Sequence, residues 1–230
     1  MILGIRESNQ KIVTNGLVLH LDAAQLLSYT SGSSTWSDLS GNGGVGTLTN
    51  GPTFSAANGG SIVFDGTNDY VQTSASVIDI ASNWSTNLWF KTSGSTNIGS
   101  LVVRGTAAEN TQWRCEVQAS TGKVNFVMRN PSDQSILGTT STNDNKWHMA
   151  TYTNTGGLVR IYLDGNLENS GTITSLADIA STNLVLGRLG NSTGPYYYNG
   201  SIAQTFIYNK ALSAAEILQN YNATKTRFGL

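Results

Sequence analysis

The sequence has 230 residues, of which 39% are hydrophobic and 12% are charged, and its net charge is −1. The length suits one large domain, while the composition is too apolar for a disordered chain and too poor in charged residues for a helical protein. With so little net charge and no basic run, the sequence excludes a typical nucleic-acid-binding surface. The single cysteine, Cys115, excludes an internal disulfide, and its strand-like flanks indicate a buried structural thiol.

The first 15 residues precede the first predicted strand. They include the apolar Ile2, Leu3 and Ile5 but meet charged residues at once, so neither a secretory signal nor a membrane insertion is predicted. We therefore expect synthesis in a cytoplasm. Because this much apolar surface is unsuited to a solvated tail, residues 1–15 are interpreted as an anchoring arm that docks on another subunit. The alternative is that the arm packs on its own domain.

Residues 16–230 are predicted to form one domain of short β-strands. Apolar runs alternate with clusters of turn residues, and several runs have the period of two that strands require. Within Leu158–Leu163, Val159 and Ile161 share one face, whereas Arg160 and Tyr162 share the other. The predicted strands include Leu17–Leu21, Ile62–Phe64, Trp84–Lys91, Ser100–Arg104, Val124–Met128, Trp147–Tyr152, Leu158–Leu163, Leu184–Leu186 and Ile202–Tyr208. This pattern predicts an all-β, two-sheet antiparallel jelly-roll sandwich.

Two Asp-Gly pairs, Asp65-Gly66 and Asp164-Gly165, each follow a predicted strand. Glycine accepts a positive φ and aspartate bonds to its own backbone, so both pairs predict tight hairpin turns. Asp69 lies close to the first pair, and a cation or ligand contact there stays an alternative.

One short helix is predicted near the C-terminus. Ser213 and Glu216 have the spacing of a capping box, in which each side chain bonds the other residue's backbone. Ile217, Leu218 and Tyr221 then form an apolar face that can lie across one sheet.

Seven short motifs, in this order, resemble the laminin-G-like branch of the concanavalin A-like lectin/glucanase superfamily. They are GLVLHLDA at 16–23, WSDLSGNG at 36–43, SIVFDGTNDYV at 61–71, NWSTNLWFKT at 83–92, KWHMATYTNTGGLVRIYLDG at 146–165, NLVLGR at 183–188 and YNGSIAQTFIYNKALSAAEI at 198–217. Together they cover nearly the whole chain after residue 15. The resemblance implies two antiparallel sheets packed as a jelly roll.

The C-terminal part, with IAQ at 202–204 and ALSAAEILQNYNA at 211–223, also resembles domains of tailed-phage and other virion proteins. That resemblance implies a non-enzymatic structural or binding protein of a phage particle, as a capsid decoration or a tail component. Its partners would be other virion subunits, including copies of itself, and a lectin-like face would bind cell-surface glycans. The alternative is a free carbohydrate-binding lectin module.

The superfamily also includes glucanases. The resemblance implies that such an enzyme would carry a Glu-x-Asp-x-x-Glu strand with paired carboxylates. No such spacing occurs among the glutamates, which are Glu7, Glu109, Glu116, Glu168 and Glu216. A β-glucanase is therefore disfavoured, and no catalytic residue is predicted. The two histidines, His20 and His148, lie within apolar strands and are interpreted as structural.

Glycan binding requires an aromatic side chain and polar groups on an exposed face. The candidates are Trp113 with Arg104 and Arg114, and the pair Tyr196 and Tyr197. The alternative is that alternate members of each set pack in the core.

The resemblance also implies a calcium site as an alternative, and calcium takes six to eight oxygen ligands. The candidate ligands are Asp22, Asp38, Asp65 and Asp69. Relatives often carry an acidic residue in the penultimate strand, where this sequence has Gln204, and this difference argues against a bound cation. We expect no cofactor, with calcium as the alternative.

Overall fold

The computed structural model describes residues 10–74, 81–94, 98–106, 111–174, 176, 183–189 and 196–230, in which the strands form two sheets. Sheet A consists of β1 (Leu17–Asp22), β4 (Thr53–Ser55), β5 (Ser61–Asp65), β7 (Trp84–Lys91), β12 (Trp147–Thr155), β13 (Leu158–Leu163), β14 (Asn166–Thr172) and β16 (Asn199–Tyr208). Sheet B consists of β2 (Thr35–Ser37), β3 (Val45–Thr49), β6 (Tyr70–Thr73), β8 (Gly99–Thr106), β9 (Thr111–Val117), β10 (Lys123–Arg129), β11 (Asp133–Ser141) and β15 (Val185–Leu186).

Both sheets are antiparallel in every described pairing. The order in sheet A is β14-β13-β12-β7-β16-β5-β4, with β1 also paired to β16, and the order in sheet B is β11-β10-β9-β8-β15-β6-β3-β2. Strands distant in sequence, such as β7 and β16, are neighbours, as a jelly roll requires. The predicted two-sheet fold is confirmed.

The main core lies between the two sheets. In β13, Val159 and Ile161 point into it, whereas Tyr162 points to the opposite face, as the alternation predicts. Cys115 is buried in the same core, and burial raises the pKa of its thiol well above the ordinary value. The thiol is therefore a packing element, as expected from its flanks.

Helix α1 (Ala214–Thr224) and the 3-10 turn that follows it (Lys225–Phe228) cover the outer face of sheet A. The predicted capping box is confirmed, because the Ser213 hydroxyl accepts from the Glu216 amide and the Glu216 carboxylate accepts from the Ser213 amide. The predicted apolar face is partly wrong. Ile217 is fully buried, but Leu218 is 46% exposed, because sheet A contacts the helix along a narrower stripe.

A second apolar cluster fills the space between sheet A and α1. Trp89 of β7 is fully buried, stacks on Phe228 with ring centroids 4.1 Å apart, and donates its indole N–H to Thr224 at 2.8 Å. Its other members are Val13, Trp147, Met149, Tyr162, Ala203, Phe206, Tyr208, Leu212 and Ile217. This cluster seals the outer face of sheet A.

The described end of the predicted arm belongs to this seal. The Val13 amide donates to Asn220 of α1 at 2.8 Å, and the Val13 carbonyl accepts from the Tyr208 hydroxyl at 3.0 Å. Gln219 donates to the Lys11 carbonyl at 2.8 Å. For residues 11–13 the expectation of docking on another subunit is thus wrong, because α1 supplies their partners. Ile2, Leu3 and Ile5 lie outside the described residues.

The Asp164-Gly165 pair forms the predicted hairpin: it joins the paired strands β13 and β14, with φ values of 51° and 83°. For Asp65-Gly66 the hairpin prediction is wrong, because β5 belongs to sheet A and β6 to sheet B, so the turn in which Gly66 has a φ of 77° connects the two sheets. Asp65 accepts hydrogen bonds from the Thr67 and Asn68 amides, which explains an aspartate at that position without a ligand.

No helix within the described residues combines the length and the apolar character needed to cross a membrane.

Candidate functional site

The outer face of sheet B carries a depression with a volume of about 370 Å³. Its position follows from strand register: Arg114 of β9 lies opposite Val127 of β10, and Glu116 lies opposite Asn125. Residues two apart on a strand share a face, so these four side chains project away from the core that Cys115 enters. All four line the depression, together with Asp133 and Ser135 of the β11 edge.

Arg114 connects two carboxylates in this depression. Its Nε donates to Glu116 at 2.6 Å, and its Nη2 donates to Asp133 at 3.2 Å. The side chains of Arg114 and Glu116 are only 7% and 3% exposed, whereas Asp133 is 45% exposed at the rim. Burying two charges costs several kcal/mol unless they are paired and hydrogen-bonded, and this pair meets both conditions.

Asn125 completes the network on one side and leaves it open on the other. Its Nδ2 donates to Glu116 at 2.9 Å, and this assignment follows because a carboxylate can only accept. Asn125 is 4% exposed, yet its Oδ1 has no hydrogen-bond partner within the described structure. The hydroxyl of Ser100, which lies opposite Glu116 on β8, is likewise buried without a partner there. Such unsatisfied groups are costly, and a bound polar ligand would satisfy them.

Of the glycan-binding residues predicted around Trp113, only Arg114 lines the depression. Trp113 is fully buried and stacks on Trp84 with ring centroids 5.1 Å apart, so it cannot act as an exposed platform. Arg104 lies opposite Trp113, on the same inner side of the strand, and is 3% exposed. For these two residues the core alternative is correct, because the alternation of β9 sends Trp113 inward and Arg114 outward.

The tyrosine pair lies elsewhere on the surface. Tyr196 is 37% exposed, and Tyr197 is half-buried. The backbone of Tyr197 forms an isolated antiparallel β-bridge with Arg188, whose guanidinium lies 3.8 Å from the Tyr70 ring centroid. Neither tyrosine is among the described residues that line the depression. Their role in glycan binding stays a prediction.

Glu116, Asn125 and Asp133 belong to the site, but the sequence analysis did not select them. The Arg114-x-Glu116 spacing was a usable signal, because period two places both side chains on one face. Asn125 and Asp133 come from other strands, and only the register of β9, β10 and β11 brings them to Arg114.

The carboxylate of Asp22, the first calcium candidate, accepts hydrogen bonds from an arginine, a glutamine side chain and a backbone amide. Its carboxylate accepts from Arg227 at 2.7 Å, from Gln204 at 2.6 Å and from the Ala24 amide at 2.9 Å. The same guanidinium donates to the carbonyls of Asn58 and Gly60. Arg227 thus supplies the positive charge that a metal ion would otherwise supply at this position.

The other calcium candidates are used in turns. Asp38 accepts from the amides of His20, Ser40 and Gly44; burial alone would raise the pKa of its carboxyl, but these bonds outweigh it and lower the pKa. Asp69 accepts from the Asp65 amide, and burial raises the pKa of its carboxyl. In the described part of the chain, no three His, Cys, Asp or Glu side chains converge as a metal site.

Several solved structures share this fold. The binding domain of Paraclostridial Mosquitocidal Protein 1 has a TM-score of 0.71 at 17% identity, over 91% of this chain and 52% of that chain. Domain 4 of AbnA, an extracellular arabinanase from Geobacillus stearothermophilus solved with arabinotriose, has a TM-score of 0.70 at 19% identity, over 89% and 98%. The botulinum neurotoxin serotype G binding domain has a TM-score of 0.68 at 21% identity, over 89% and 50%.

A curated relative matches part of the chain. It is "Sushi, von Willebrand factor type A, EGF and pentraxin domain-containing protein 1" of Rattus norvegicus, 33% identical over 93 residues, which are 36% of this chain and 3% of that protein. The chain thus spans a small fraction of this relative and about half of the two toxin fragments.

The family model described as the concanavalin A-like lectin/glucanases superfamily, Laminin_G_3, matches residues 65–218. That range runs from the end of β5 into α1 and includes every strand that lines the depression. With this match over more than half of its length, the chain belongs to the concanavalin A-like lectin/glucanases superfamily.

Proposed function

We propose that this chain is a non-enzymatic carbohydrate-binding module whose ligand occupies the depression on the outer face of sheet B. The observation that carries the proposal is Asn125, whose buried and unpartnered Oδ1 lies beside the Arg114–Glu116 pair in that depression. A ligand that donates a hydrogen bond would complete this arrangement.

A sugar has the chemistry that this site requires. Its hydroxyls both donate and accept, so they can reach Asn125 Oδ1 and the outward side of Glu116 or Asp133. Its C–H face is apolar and can contact Val127, which is 2% exposed. Because no tryptophan or tyrosine is among the described lining residues, recognition rests on hydrogen bonds more than on stacking.

The related structures support a sugar ligand by analogy. Domain 4 of AbnA was solved in complex with arabinotriose. Botulinum neurotoxin type C, another protein of similar structure, depends on interaction with two ganglioside molecules for cell entry. These neighbours are binding domains, which fits a module that recognises a surface without transforming it.

The absence of catalysis has a physical argument in this chain. Retaining and inverting glycosidases need one carboxyl group that carries a proton. In the depression, Glu116 accepts from Arg114 with one oxygen and from Asn125 with the other, so neither oxygen is directed at a ligand as a proton donor, and the Glu-x-Asp-x-x-Glu spacing of the glucanases does not occur. We therefore expect binding without hydrolysis.

We further propose that the module is a component of a phage particle, on the capsid or the tail, and is made in the host cytoplasm. Support comes from the C-terminal stretch at 202–223 and its likeness to virion domains. Ile2, Leu3 and Ile5 would then contact another virion subunit. Quantitative mass spectrometry of purified particles should find the chain at a fixed copy number, and its absence would rule the virion role out.

A glycan array followed by calorimetry tests the binding function. We expect at least one oligosaccharide, with arabinotriose among the probes, to bind, and Asn125→Ala to weaken that binding about tenfold, as expected for one lost hydrogen bond to a buried group. The matched control is Asn222→Ala on α1, on the opposite side of the sandwich, which should leave binding unchanged. If no oligosaccharide binds the folded chain, the proposed function is wrong.

A further inference from the structure

The described charges that line the depression sum to −1, because Arg114 faces the two carboxylates of Glu116 and Asp133. Arg114 directs Nε at Glu116 and Nη2 at Asp133, so its guanidinium is held between two negative groups. Arg129, whose Nε lies 3.9 Å from Asp133, is not among the lining residues. Lys123, two residues before Asn125, is not among the lining residues. The cavity therefore presents a cation only together with a carboxylate.

The groups left to a ligand are mostly acceptors. Asn125 offers Oδ1, and Glu116 and Asp133 offer carboxylate oxygens. Asn125 cannot turn its amide over to offer a donor, because Nδ2 would then leave the Glu116 carboxylate and Oδ1 would face it. A ligand that donates several hydrogen bonds fits this set.

We infer that the depression selects uncharged oligosaccharides and rejects sialylated, uronate or sulfated ones; this inference rests on the proposed function. An anionic group that entered the cavity would approach Arg114 only beside Glu116 and Asp133. Like charges facing each other in a poorly solvated site oppose binding, and the single cation of the described lining is outnumbered by its two carboxylates. A neutral sugar meets no such penalty and donates its hydroxyl protons to the acceptors.

The carboxylates then determine specificity, and Arg114 holds them in position. Removing either negative charge should release one edge of the Arg114 guanidinium toward the cavity, where it can bind a carboxylate or sulfate in two-point geometry. Glu116→Gln and Asp133→Asn keep the side-chain shape and remove only the charge. Asp133 is 45% exposed, so Asp133→Asn is expected to fold even if Glu116→Gln does not.

The experiment uses oligosaccharide pairs that share one neutral core and differ in one anionic group. Suitable pairs are lactose with 3′-sialyllactose and N-acetyllactosamine with its 6-sulfated form, printed on one array beside unrelated neutral and acidic glycans. For the folded wild-type chain we expect signals on neutral members only, with affinity that changes less than about twofold between low and high salt. Asp133→Asn should raise the affinity for an anionic member at least about tenfold relative to its neutral partner.

Glu216→Gln is the matched control, because it removes a carboxylate from the helix cap while glutamine preserves the capping box. It should leave the preference for neutral sugars unchanged. Stronger binding of anionic than neutral members by the wild-type chain would overturn this inference and leave the glycan-binding function intact. An unchanged preference in both Asp133→Asn and Glu116→Gln would also overturn it. Binding to no glycan at all would instead remove the proposed function, and the inference with it.

Discussion

The outer faces of the two sheets differ in polarity and in whether another element covers them. On sheet A, apolar side chains from β7, β12 and β16 are covered by α1 and by Val13, and Trp89 Nε1, Tyr208 and Asn220 are hydrogen-bonded there, although the buried Asn87 amide of β7 has no partner within the described structure. On sheet B, a buried arginine and a buried glutamate line an open depression beside the Asn125 amide. One sandwich thus has an apolar outer face that is covered by a helix and a charged outer face that is open to a ligand.

The largest expected effect is on the sealed face. Trp89→Ala should lower the free energy of unfolding by about 3–5 kcal/mol, because a fully buried indole and its hydrogen bond to Thr224 are lost. Leu218→Ala on the same helix, at 46% exposure, should change it by less than about 0.5 kcal/mol. Urea denaturation measures both. Equal effects would mean that α1 does not pack as described.

A similar loss is expected on the open face, for an electrostatic reason. Arg114→Ala should cost about 3 kcal/mol, because it leaves Glu116 buried without a counter-charge. The double variant Arg114→Met with Glu116→Leu removes both charges and should recover most of that stability while it abolishes glycan binding. If the double variant still binds glycans, the comparison between the two faces is wrong.

Deletion of residues 1–14 tests how far the seal of sheet A extends. It removes Val13 and its hydrogen bonds with Asn220 and Tyr208, and we expect a loss of about 2–3 kcal/mol. Deletion of residues 1–9 keeps Val13 with Asn220 and Tyr208, and because Ile2, Leu3 and Ile5 are proposed to serve assembly, it should preserve the melting temperature. Scanning calorimetry on both truncations separates a stabilising segment from an arm needed only for assembly.

The turn glycines with a positive φ should give an intermediate effect. Gly66→Val places a β-branched residue at a φ of 77° and brings its Cβ within 2.9 Å of the Asn199 Cβ, so we expect a loss of about 2 kcal/mol. Gly32 has a similar φ of 84° but nothing within 4 Å of an added Cβ, so Gly32→Val should cost about half as much. Thermal melts compare the two, and equal losses would show that the contact with Asn199 is unimportant.

The smallest effect is a pH dependence at the end of β12. Burial alone would lower the pKa of His148, but hydrogen bonds with Asp164 at 2.8 Å and Asp144 at 3.3 Å outweigh it and raise that pKa. The contribution of His148 to the free energy of unfolding is therefore fully present below the unfolded pKa of about 6.5, and it is lost as the pH rises through the folded pKa. His148→Gln should remove this pH dependence, and urea titrations at pH 6 and pH 8 measure it.

His20 should show the reverse dependence. Burial lowers its pKa, so its contribution to stability is complete above about pH 6.5 and falls as the pH decreases through the folded value. The difference between the wild-type chain and His148→Gln isolates one histidine from the other. A difference that grows below pH 6 would contradict the assignment to His148.

The sequence by itself determined the features that depend on local periodicity and backbone chemistry. Alternation identified several of the strands and the inward residues of β13, the Ser213–Glu216 spacing predicted the cap of α1, and Asp164-Gly165 predicted the β13–β14 hairpin. Each of these signals lies within a few residues of its consequence, because side-chain alternation, backbone φ and capping are all decided at that range.

Only the tertiary structure decided which face of each strand is sealed, which is open, and which residues meet there. Trp113 and Arg114 are neighbours in sequence, but one lies in the core and the other in the depression, because β9 is placed between β8 and β10 with a particular register. Asp133 meets Arg114, and Arg227 meets Asp22, across long stretches of chain. Such pairs depend on strand order and on loop closure, neither of which leaves a pattern in the local sequence.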